Sequence, residues 1–155
     1  MTLLAQARVS LQTAQAPFRL EIEEAGQTLT CDFAALDSLA CAVTSFELST
    51  PALAGQTPQE LKRLGEKLSS RLTYLLEPIN PIEFDAEQCV VQLRSNPPER
   101  DEDRTSYYEL VVKRGGSLSL CRFVKKPGSV RETVPMHLTR EVFFRLVSDF
   151  SAAVA

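Results

Sequence analysis

Thr57-Pro58-Gln59-Glu60 constrains the fold more than any other stretch, because each position answers a need of a helix N-terminus. The threonine hydroxyl can accept from an orphan amide and the proline suits the first helical position. The glutamate three residues on can reach back to the cap amide. Leu61, Leu64, Leu68, Leu72 and Leu75 then recur at helical spacing, with Lys62, Arg63, Glu66, Lys67 and Arg71 on the other side, until Pro78 stops the run. The spacing predicts a helix over Thr57–Glu77 that must lie with its leucine face on something apolar. A second such helix is predicted over Thr139–Ala153, capped by Thr139. Leu138 and Phe143 are placed as a hydrophobic staple, and Val142, Leu146, Val147 and Phe150 continue the apolar face. A third, N-terminal helix over residues 2–15 follows from Leu4, Ala7, Leu11 and Ala14, with Pro17 as the stop.

What these helices cover is read from period-two alternation. Phe18, Leu20 and Ile22 alternate with Arg19, Glu21 and Glu23, and after Gly26 a second strand runs from Gln27 to Phe33. Further strands are predicted near 40–48, 82–84, 88–94, 106–114, 117–125 and 131–134. The polar stretch Ser95–Thr105, with Pro97-Pro98 and mixed charges from Glu99 to Arg104, is expected to be a mobile loop. Strand groups followed by amphipathic helices define an α+β domain. It is built on a mainly antiparallel sheet with two amphipathic helices packed on it and an N-terminal helix, over residues 1–155 as one unit.

The chain also resembles itself. At an offset of ninety residues Phe18, Leu20, Ile22, Gly26, Cys31 and Phe33 align with Tyr108, Leu110, Val112, Gly116, Cys121 and Phe123. Two-residue turns at Ala25-Gly26 and Gly115-Gly116 would pair Phe18 with Phe33 and Tyr108 with Phe123. They would also set Leu20 against Cys31 and Leu110 against Cys121, with Arg19 opposite Asp32 and Glu109 opposite Arg122. The helices align at an offset of eighty-two, Thr57 on Thr139. A duplication with units of about 18–77 and 108–154 would account for this, and it predicts superposable halves with identical hairpin registers.

Chemistry is less legible. His137 is the only histidine, and nothing around it resembles a nucleophile elbow or a protease-like dyad. Cys31, Cys41, Cys89 and Cys121 are widely spaced, with no C-x-x-C pair, and read as reduced thiols, with Cys31 and Cys121 buried on the core face. Glu83, Asp85 and Glu87 would project from one face of a strand. They read as a solvated edge rather than a cation site, since like charges in a row discourage edge-to-edge pairing. The 99–104 run lacks the turn glycine and closing glutamate of an EF-hand loop. No phosphate-binding glycine motif is present, and Arg114-Gly115-Gly116-Ser117 reads as a hairpin turn. No catalytic, cofactor-binding or metal residue is therefore assigned.

Three functions follow in order. The first is a non-enzymatic binding module whose partner is another protein. The second is a single-stranded nucleic-acid-binding protein. Its ingredients are Tyr107, Lys113, Arg114, Lys125 and Lys126, in a C-terminal third where Lys113, Arg114, Arg122, Lys125, Lys126, Arg131, Arg140 and Arg145 outnumber the acids. The formal net charge of −3 weighs against it. The third is an enzyme whose site is assembled from scattered residues. The first sixteen residues carry neither the basic start nor the apolar stretch of a secretory signal, and no run is long enough to span a bilayer. The expected location is cytoplasmic, without membrane partners.

Overall fold

A computed structural model describes residues 1–155. In chain order the elements are α1 (Leu3–Thr13), β1 (Phe18–Glu24), β2 (Gln27–Leu36), β3 (Ala40–Ser49), α2 (Pro58–Arg71), β4 (Ile79–Asp85), β5 (Val90–Ser95), β6 (Glu99–Asp101), β7 (Arg104–Lys113), β8 (Ser117–Lys125), β9 (Glu132–Val134), β10 (Met136–Thr139) and α3 (Arg140–Ala153). The ten strands form one antiparallel sheet. Its main path is β1-β2-β3-β8-β7-β5-β4, while β10 pairs with β3, β6 with β7 and β9 with β8.

Alternation turns this sheet into two unlike faces. One register row carries Leu20, Cys31, Phe46, Leu120, Leu110 and Leu93 across six strands, and the next carries Ile22, Leu29, Leu48, Leu118, Val112 and Val91. These rows are the core floor. The row facing the other way reads Glu21, Thr30, Glu47, Ser119, Val111, Gln92 and Glu83, so that side is largely polar. All three helices consequently pack on one face. Phe143 of α3 meets Phe33 and Phe46 edge-on, with ring centroids 5.0 and 5.8 Å away, and Phe150 meets Phe46 at 4.8 Å. Helix α2 presses on β5 and β7 at Gly65, where an added Cβ would lie 3.0 Å from Leu93 Cδ1. The helix thus lies close on the sheet there, and an alanine at this position would make the Leu93 side chain shift by a few tenths of an ångström.

β3 changes partners halfway along. Its Phe46–Ser49 end pairs with β8 and its Ala40–Val43 end with β10. The register shift opposite Asp32 and Phe33 lies between the two halves, where a bulge bends the strand. β9 and β10 enter the fork so formed between β3 and β8, delivering the chain to α3.

The expected caps are in place. Thr57 Oγ1 accepts from the Glu60 amide at 3.2 Å while Glu60 Oε1 accepts from the Thr57 amide at 3.3 Å, and Thr139 Oγ1 accepts from the Val142 amide at 3.0 Å. The helix predicted to reach Glu77 instead ends at Arg71. It tightens into a 3-10 turn, Leu72–Leu75, and stops at left-handed Leu76, φ 66°. A three-residue repeat keeps both Leu72 and Leu75 buried as the chain approaches Pro78.

Two further expectations are corrected. The Ser95–Thr105 segment is not an unstructured loop: Glu99–Asp101 forms a strand on β7, and Asn96 N donates to Pro78 O at 2.8 Å. The first hairpin has the expected register, Phe18 on Phe33, Arg19 on Asp32 and Leu20 on Cys31. The second is one residue out, pairing Tyr107 with Phe123, Tyr108 with Arg122, Glu109 with Cys121 and Leu110 with Leu120. Its turn has three residues, Arg114-Gly115-Gly116. Gly116 takes φ 118°, its amide donates to Lys113 O at 3.0 Å, and its carbonyl accepts from the Thr50 amide at 2.8 Å. An added Cβ there would stand 3.2 Å from Thr50 O. The slip reverses β8, so that Leu118 and Leu120 line the core while Cys121 and Phe123 face away from the helices. One aromatic pair thus faces the helices and the other does not, so the duplication is not confirmed.

Candidate functional site

The polar face of the sheet holds most of the residues singled out from sequence. Tyr107, Lys125 and Lys126 line one cleft of about 560 Å³ together with Arg94, Arg100 and Arg104, but Asp101, Glu102 and Asp103 line it too. Lys113 and Arg114 do not join them. Lys113 stands six positions along β7 from Tyr107, roughly 20 Å at the rise of a strand. Tyr107 is 6% exposed. The Arg94 guanidinium lies 4.6 Å from its ring centre, and its hydroxyl accepts from Arg131 Nη1 at 3.3 Å. Phe123 is covered in the same way by Arg131, 3.7 Å from its ring. The aromatic faces a nucleic-acid base would stack on are therefore occupied by the protein's own arginines.

Those arginines have a structural task. Glu109, 3% exposed, accepts at one oxygen, Oε1, from Gln92 Nε2 at 2.8 Å, Arg94 Nη2 at 3.1 Å and Arg131 Nη1 at 3.1 Å. Arg131 comes from the segment entering β9, so the network ties that segment over the sheet. A buried carboxylate held by three donors is satisfied rather than poised for reaction.

The nucleophile candidates are quiet. No disulfide forms, and Cys31, Cys41 and Cys89 are buried; Cys121, expected on the core face, is half-buried on the polar one beside Glu109. Burial pushes the Cys41 and Cys121 thiols up to about 11, and the Glu109 charge adds to the shift at Cys121. Both are protonated near neutral pH. His137 and Cys41 line one recess, but the register sets His137 against Ala42 and Leu138 against Cys41, so the two side chains leave their strands on opposite faces. Glu83 and Asp85 lie on β4, an edge strand of the main path, and Asp85 Oδ1 accepts from the Glu87 and Gln88 amides at 3.1 Å, closing the turn into β5. No group of three or more His, Cys, Asp or Glu side chains is placed to hold a metal.

A different arrangement lies on the helical side. Between α2 and the end of α3 is a recess of about 270 Å³, floored by Leu64 and Leu68, walled by Ala152 and Ala153 and closed at one end by Gln56 and Glu60. Along its rim stand Arg63, Lys67 and Arg71, one helical turn apart. All three are exposed, and none has a carboxylate within 4.0 Å. The nearby Glu60 is engaged by its own cap. The walls are held in place: Tyr74, just beyond α2, donates to Asp149 Oδ2 of α3 at 2.7 Å, and Arg145 lies 4.3 Å over the Tyr74 ring. Phe150 and Val154 are buried in the core, and the small residues between them, Ala152 and Ala153, line the recess.

From sequence these three cations read as an ordinary wet face. The available signal was their spacing. Lys67 and Arg71 have like charges four residues away and no acid at three or four, which costs an isolated helix a few tenths of a kcal/mol per pair. No helix of the protein is long and apolar enough to cross a membrane. No protein-family model matches the chain, and comparison with curated proteins and with solved structures finds no match.

Proposed function

We propose that this protein is a non-enzymatic interaction module of the cytoplasm that holds a segment of another protein in the groove between α2 and the end of α3. The observation that carries the reading is the combination of an apolar floor, Leu64 and Leu68 with Ala152 and Ala153, and a rim of three cations without internal partners. Cations paired inside the fold would be explained by the fold. A row of like charges kept at a small cost to helix stability is better explained by a partner that neutralises it. At about 270 Å³ the recess has room for one or two anchor side chains of a larger ligand.

A peptide selection tests this. A phage-displayed library of 16-residue peptides is enriched on the native protein, and the survivors are measured against Ala152→Arg, which fills the groove. Ala152 is exposed, so the variant should melt like the native protein. The reading expects most enriched peptides to lose at least ten-fold in affinity on the variant. Enriched peptides that bind both proteins equally would place the binding surface elsewhere.

A further inference from the structure

Resting on that interaction reading, we infer that the groove's occupant is an acidic amphipathic helix, which aligns carboxylates with Arg63, Lys67 and Arg71 and seats one or two apolar side chains against Leu64 and Ala152. The charge follows from the rim, which offers positive groups and no carboxylate bonded to them. The helical form follows from two further points. Cations four residues apart on α2 repeat every ~6 Å, and a partner helix lying along α2 repeats its own i, i+4, i+8 carboxylates at that same interval. The groove is also lined by helical residues and the turn before α2, with no strand edge. An extended segment would find no ladder to join, whereas a helix brings its backbone hydrogen bonds with it. The small apolar floor sets the anchor count, since it takes side chains but not a helix body.

The test uses a fluorescein-labelled alanine-based helical peptide of sixteen residues with glutamates at i, i+4 and i+8 and leucines at i+3 and i+7. A twin carries glutamine at the three acidic positions, and a third peptide carries lysine there. Fluorescence anisotropy is read at 50 and 300 mM salt. The expected result is that the glutamate peptide binds at least ten-fold tighter than the glutamine twin at low salt, and that the preference shrinks at high salt. The charge-reversed protein R63E/K67E/R71E should lose the glutamate peptide and take up the lysine peptide instead. R63Q/K67Q/R71Q, checked by its melting curve, provides the same loss without reversal. No binding of the glutamate peptide, equal binding of its glutamine twin, or unchanged binding to the charge-reversed protein overturns the inference. Peptides of another composition that are still lost on Ala152→Arg would leave the interaction reading standing while this one falls. Absence of any ligand sensitive to Ala152→Arg removes both.

Discussion

The one-residue register of the second hairpin has an energetic consequence that can be measured at Arg122 and Glu77. Because Tyr108 pairs with Arg122, that arginine faces the helical side of the sheet, where Nη1 stands 3.0 Å from Glu77 Oε2. The side chains are only 12% and 17% exposed. At an effective dielectric of about 20 the attraction across 3.0 Å is on the order of 5 kcal/mol, and at that of bulk water on the order of 1.4 kcal/mol. Desolvation takes back part of this, and Glu77 Oε1 and Arg122 Nη1 each lack a hydrogen bond, so the geometry is not ideal. Glu99, also bonded to Arg122 at 2.9 Å, is too exposed to add much. The net coupling should be about 1.5–2.5 kcal/mol, with each single substitution costing about 2–3 kcal/mol because it strands the other charge. The assay is a double-mutant cycle of Glu77→Gln and Arg122→Gln by urea unfolding. A coupling within about 0.3 kcal/mol of zero would mean that the residues lie on opposite faces, as in the register pairing Tyr108 with Phe123, and that no such ion pair forms.

Three other outcomes are expected. Leu68→Ala, mid-stripe and fully buried, should cost about 2–5 kcal/mol while Lys67→Ala stays near neutral, and equal losses in urea would mean that α2 is turned the wrong way. Thiol labelling of the native protein at pH 7.4 should reach Cys121 first and slowly, with the rate climbing as pH approaches about 11, while Cys31 stays protected; fast modification of Cys31 would contradict its place in the core. Hydrogen bonds from Arg19 and Ser45 hold the Asp32 carboxyl below its ordinary range. Asp32 therefore stabilises the fold above the unfolded carboxylate pKa, and that contribution is lost as pH falls through the lower, folded value. Asp32→Asn should flatten the acid side of the stability curve, and an unchanged acid slope would exclude the effect.

Local rules located most elements because the residues that make them also announce them. The capping box at Thr57 and the two-residue turn at Ala25-Gly26 each act within a few residues, and both stand where the spacing predicts. What failed was set by contacts distant in sequence. The extra turn residue at Gly116 is stabilised by a hydrogen bond with Thr50, and the segment around β6 is ordered by β7 and by Glu99 reaching Arg122. Neither partner is marked in the local pattern. The same limit applies to function. Arg94 and Arg131 cover Tyr107 and Phe123 from other elements, and the groove beside α2 exists only where α3 ends against it.

Binding in the groove is tested most directly by a ¹H–¹⁵N titration of the native protein with the glutamate peptide. The groove reading predicts that the shifting amides cluster at Arg63, Lys67, Arg71, Ala152 and Ala153, that amides of the polar sheet face around Arg94, Lys125 and Lys126 stay in place, and that Ala152→Arg abolishes the shifts. Shifts centred on Arg94, Lys125 and Lys126, unaffected by Ala152→Arg, would contradict it.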